Sequence, residues 1–146
     1  LTTSSSGPSG VITSNLEQID TAGQGTLGSA MTESSGIFTF PSTGMYLVTV
    51  QATISFTNEA DNAAVVYLKG TTNNADYATW ARIDAGSNST SNNSRFSVAN
   101  SSLVDVTDVA NVKVKFECSS FDSGSSIEGD STYNYTTFTF LRLGDT

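Results

Sequence analysis

Residues 36–56, GIFTFPSTGMYLVTVQATISF, decide the fold. A short strand is expected over 37–40, a turn at Pro41-Ser42-Thr43-Gly44, and a long strand over 45–56. In the long strand Tyr46, Val48, Val50, Ala52, Ile54 and Phe56 fall on one face, and Leu47, Thr49, Gln51, Thr53 and Ser55 on the other. A period of two held over about ten residues marks a strand with one face in a core. Pro41 suits the second position of a turn because its φ is already fixed, and Gly44 can take a positive φ without steric penalty.

Working outward, the same pattern recurs. Strands are expected over 63–69, 77–83, 94–99, 102–106, 112–118 and 132–143. In 112–118, Val112, Val114, Phe116 and Cys118 point inward while Lys113, Lys115 and Glu117 point outward. The polar stretches 57–62, 71–76, 84–93 and 119–131 read as turns or loops. Residues 11–20 form a first strand or an irregular arm, and 21–35 a loop anchored by Leu27 and Met31. LTTSSSGPSG at 1–10 reads as a flexible linker or arm, leaving 11–146 as a single domain. Strands spaced by roughly ten residues, with no helical periodicity, predict an all-β antiparallel sandwich. Jelly-roll and immunoglobulin-like arrangements both remain open, although the Cys–Trp–Cys pattern of the latter is absent.

The 146 residues suffice for one core. Only 37% are hydrophobic and 14% charged, but eight Phe and five Tyr argue against disorder. The net charge of −8 disfavours nucleic acid and anionic membrane as partners. No apolar run reaches the ~20 residues of a membrane-spanning helix, and no basic segment leads into an apolar one as in a signal peptide. A start at Leu1 rather than Met reads as a processed product, a domain of a longer chain, or a sequence whose start was not captured.

Chemistry is sparse. With one Cys and no His, neither a disulfide, a zinc cluster nor a His-dependent nucleophilic site can be assembled, so no enzyme and no cofactor are expected. Cys118 reads as a buried, inert core residue. The carboxylates Asp122, Glu128 and Asp130, or Glu59 and Asp61, read as solvated turn acids rather than a glycosidase pair or a calcium loop. The sequons at Asn88, Asn92, Asn100 and Asn134 are the chance yield of an Asn/Ser/Thr-rich chain. Exposed loops on a rigid sandwich are the natural binding sites, and Asn73, Tyr77, Asn88, Asn92, Asp122 and Asp130 are the candidates there.

Gly36, Phe38, Pro41, Gly44 and Tyr46 fit, in register, the pattern Gly-x-Phe-x-x-Pro-x-x-Gly-x-Tyr. In this the stretch resembles the jelly-roll superfamily of tumour necrosis factor and the complement globular head. Residues 65–68 look like the family's next long strand, 103–114 are similar to its late hairpin, and 138–143 to its closing strand. Val109-Ala110-Asn111 stands where a Gly-Asp turn is usual, which puts that turn's geometry in question. The resemblance implies a jelly-roll sandwich that forms a homotrimer, with the Tyr46 face in the core. Leu47 and Thr49 would face the threefold axis, with Tyr135, Leu141 and Leu143 from the closing strand. MTESSGIFTFPSTGMYLVT (31–49) resembles versions of the domain in bacteriophage tail fibres and accessory structural proteins. The implied function is a structural and adhesive module at the virion surface, as capsid decoration, head fibre or tail-fibre tip. Its partners would be itself, other virion proteins and a host-surface glycan or protein. The alternative is a secreted complement-like recognition module or lectin.

Overall fold

A computed structural model describes residues 1–145 apart from Thr21 and Glu59. Among the described residues eleven strands are present: β1 Ser5–Ser6, β2 Gly10–Val11, β3 Thr32–Ser34, β4 Ile37–Thr39, β5 Gly44–Phe56, β6 Asp61–Thr71, β7 Ala78–Ser87, β8 Ser94–Val106, β9 Lys113–Ser119, β10 Ser125–Ile127 and β11 Thr137–Gly144. No helix occurs among the described residues. The strands form two antiparallel sheets packed as a sandwich. In the first, β5 pairs with β8 along its whole length; on its other side it pairs with β11 and then β10, and β1 flanks β10. The second runs β3-β4-β9-β6-β7, with β2 continuing beside β9 where β4 ends. The pairings β6–β7, β5–β8 and β4–β9 are nested in sequence.

The alternation expected of β5 holds. Tyr46, Val48, Val50, Ala52, Ile54 and Phe56 are all buried, facing Val66, Leu68, Val114, Phe116 and Cys118 of the second sheet. The rings of Phe116 and Phe138 stack at 3.7 Å between centroids, and Phe38 meets Phe116 edge-on at 5.6 Å. Such aromatic packing adds about 1 kcal/mol per pair beyond simple burial. Cys118 is buried, and desolvation pushes its thiol up to about 12, so it stays protonated and unreactive. The entry turn is held by Tyr46, whose hydroxyl donates to the Ser42 carbonyl at 3.0 Å. Gly44 has φ +135°, and a Cβ there would lie 2.4 Å from the Gly144 carbonyl oxygen, so both the turn and the close β11 backbone require glycine.

Several expected boundaries shift. Residues 94–106 form one strand rather than two, because the polar run 99–102 pairs with 48–51 of β5. Asn100 Nδ2 donates to the Arg82 carbonyl at 3.0 Å, joining β8 to β7. β7 continues to Ser87, into the stretch read as a loop from 84. The closing strand starts at Thr137 rather than 132, since β10 already occupies the edge of β5 at Ile54–Phe56. β8 and β9 lie in different sheets, so 103–114 is a crossing and not a hairpin. Its turn is built by Asp108, whose Oδ1 accepts the Ala110 N–H at 2.8 Å and whose carbonyl accepts that of Val112 at 2.8 Å. That side chain supplies locally what a Gly-Asp turn would do by backbone freedom. Within 1–10, Ser5 and Ser6 pair with Ile127 and Ser126, and the Gly7 N–H donates to the Ser125 carbonyl.

Candidate interaction surfaces

The outward side of the first sheet is open. Register sets Leu103, Leu47 and Leu141 in one row across β8, β5 and β11. Leu103 is 61% exposed and Leu141 51%, with Leu47 between them half-buried. The next row is Ser101, Thr49 and Thr139, and the one after it Ala99, Gln51 and Thr137. Beyond that, Thr53 Oγ1 donates to the Tyr135 carbonyl and lies 2.9 Å from Ser97 Oγ. Leu47, Thr49 and Leu141 therefore come together, and Leu143 follows, exposed, at the irregularity before Gly144. Tyr135 lies beyond the start of β11, where Arg95 Nη1 donates to its hydroxyl at 3.0 Å. Leu103 was missing from the expected set. Its signal is the parity of Val104 and Val106, already present within the expected strand 102–106.

The loop candidates do not form one site. Asn73 and Tyr77 lie in the β6–β7 turn, where Asn73 Oδ1 accepts the N–H groups of Ala75 and Asp76 and is committed to the turn. Tyr77 lies under Lys115, with Nζ 4.3 Å from its ring centroid. Asn88, Asn92 and Asp122 gather at the opposite end, where the 88–93 and 120–124 connections meet the end of β5. Asp130 folds back on its own loop, its carboxylate accepting the Thr132 N–H at 2.7 Å. Glu59 lies outside the described residues.

Two of the acids read as solvated are buried. Asp61 opens β6 in the second sheet, yet its carboxylate accepts the hydroxyl of Ser125 in the first sheet. It also accepts the N–H groups of Asp122 at 3.0 Å and Ala63 at 3.1 Å. Burial opposes its ionisation, but these three donors outweigh burial and hold the carboxyl below its ordinary value. Glu128 is likewise buried; desolvation is outweighed by the hydroxyls of Ser126, Ser55 and Ser4 and by Arg95, and its carboxyl is also held low. A single sequence cannot separate such acids from solvated ones, because the partners that tie them across the fold, Ser125 for Asp61 and Ser4 for Glu128, lie 64 and 124 residues away. Among the described residues no three His, Cys, Asp or Glu side chains are grouped so as to hold a metal ion.

A cavity of about 730 Å³ lies between residues 16–31 and β11, with Phe38, Phe138 and Phe140 among its walls. It leaves the outer edge of β11 without a strand partner among the described residues. No family model and no curated protein sequence matches this chain. The surfaces themselves must carry the functional reading.

Proposed function

We propose that this chain is a jelly-roll module working as a homotrimer on a virus particle, with a structural and adhesive role and no catalysis. The observation that carries the assembly is the outward face of β5, β8 and β11. It presents the row Leu103–Leu47–Leu141 followed by neutral hydroxyl and amide rows. Covering those leucines contributes about 2 kcal/mol each per copy, while the hydroxyl rows can pair across the axis without desolvating a charge. Association would also shield the unpaired edge of β11. The nested pairings β4–β9, β5–β8 and β6–β7 support the jelly-roll reading, because such nesting results when one long antiparallel ribbon is wrapped around a core.

The particle setting, as capsid decoration, head fibre or tail-fibre tip, rests on the likeness of residues 31–49 to phage fibre and accessory proteins. Light scattering on the 146-residue chain at micromolar concentration should give three times the single-chain 15.3 kDa. A mass of 15.3 kDa would overturn the trimer. Mass spectrometry of purified virions should recover the chain. Finding it instead behind a cleaved secretion signal in culture medium would favour a secreted recognition module.

A further inference from the structure

Four of the chain's six cations, Lys69, Arg82, Lys113 and Lys115, occupy outward strand positions on the second sheet. Lys113 and Lys115 lie on β9 opposite Thr71 and Lys69 of β6, and Arg82 on β7 stands opposite Tyr67. Two carboxylates share these outward strand positions among the described residues. Glu117 accepts both Lys69 and Lys115, the latter at 2.7 Å, and Asp84 pairs with Arg82. Lys113 forms no ion pair among the described residues. These outward strand positions therefore sum to +2, four cations against Glu117 and Asp84, in a chain of net −8, with Asp76 exposed in the adjoining turn that carries Tyr77. Two tyrosines lie among the cations: Lys69 Nζ and Arg82 Cζ are 5.4 and 5.6 Å from the Tyr67 ring centroid, and Lys115 Nζ is 4.3 Å from that of Tyr77, whose hydroxyl is buried.

We propose that this face binds an acidic polysaccharide, a chain of sugars bearing carboxylates. Charge complementarity selects an anionic partner, and the face is a sheet surface, so the partner should be extended rather than pocket-sized. Cations fixed over tyrosine rings offer carboxylate recognition beside flat amphipathic surface, and the Tyr67 hydroxyl can bond sugar hydroxyls. Duplex nucleic acid, with one charge per ~1.7 Å, would press phosphates against Glu117 and Asp84 while the acidic remainder of the chain repels it. A second copy would present the same sign of charge here. The inference names the glycan in the adhesive part of the proposed function. It needs only the single chain, so its failure leaves the trimer measurement untouched.

The test is binding of the 146-residue chain to polygalacturonate at ~50 mM salt, with dextran, polyglutamate and duplex DNA alongside. Polygalacturonate should bind, dextran should not, and binding should fall away at ~500 mM salt. Replacing the half-buried Lys113 and the exposed Arg82 together, Lys113→Gln with Arg82→Gln, should weaken binding about tenfold with melting unchanged. Arg142→Gln, on the first sheet, should leave binding as it is. No binding of polygalacturonate overturns the proposal. So does equal or tighter binding of polyglutamate or DNA, or an equal loss in Arg142→Gln.

Discussion

The two sheets bury the same kind of side chain and present opposite chemistry to the outside. On the first, leucines and hydroxyls line β5, β8 and β11; on the second, lysines, an arginine, Tyr67 and the carboxylates Glu117 and Asp84 line β6, β7 and β9. Inward positions are constrained by a shared core and so converge. Outward positions answer only to what meets them. A face whose central rows are neutral, with the charges of Asp105 and Arg95 at its two ends, can be covered by copies of itself at little desolvation cost, whereas a face of net positive charge repels its own copies. The difference assigns self-association to the first sheet and a foreign anionic partner to the second, as two separate proposals.

The largest expected effect breaks the first half of this contrast. Leu103→Glu places a carboxylate at the β8 end of the leucine row of each copy, where burial without a partner costs several kcal/mol. Light scattering should show the trimer replaced by monomer, and because Leu103 is exposed in the single chain, far-ultraviolet dichroism should be unchanged. Lys113→Glu on the other sheet should leave the mass as it was. A trimer surviving Leu103→Glu would move the interface away from this face.

The legibility of the chain follows the same divide between inside and outside. β5 could be read from sequence because six alternate positions are apolar, which only a half-buried strand requires. β8 could not be read whole, since Asn100 and Ser102 stand at inward-parity positions opposite Val50 and Val48, and Asn100 is satisfied by a carbonyl of β7. β10 is three residues in a Gly/Ser-rich stretch and exists because the edge of β5 is free to pair there. Leu47, Thr49 and Leu141 were placed on one face by alternation and resemblance together. Their neighbour Leu103 and the buried acids Asp61 and Glu128 depended on partners distant in sequence.

A middle-sized effect tests what joins the two sheets. Asp61→Ala leaves the Ser125 hydroxyl and the Asp122 and Ala63 N–H groups without their acceptor, a loss of about 3 kcal/mol, or roughly 10 °C in melting temperature. Asp61 is held below its ordinary value in the folded state, so the stability it contributes is present above the unfolded pKa of about 4. It is lost as pH falls through the lower folded value. The wild-type melting temperature should therefore drop more steeply below about pH 4 than that of Asp61→Ala. Parallel acid limbs would show that the bridge does not couple the sheets.

The smallest effect sharpens the contrast between the faces. Glu117 on the second sheet and Glu128 on the first are both held below the ordinary carboxylate range against the cost of burial. For Glu117 the opposing partners are the ammoniums of Lys115 and Lys69; for Glu128 they are chiefly the hydroxyls of Ser126, Ser55 and Ser4. Substitution of either by Gln should cost about 1 kcal/mol at low salt. The cost of Glu117→Gln should shrink in 1 M salt, because its partners are charges near the surface, while that of Glu128→Gln should change little, because hydrogen bonds to neutral donors are not screened. Denaturant melts of the two variants at both salt concentrations separate these outcomes. Equal salt responses would mean that the lysine cluster is less accessible to ions than a polysaccharide-binding face must be.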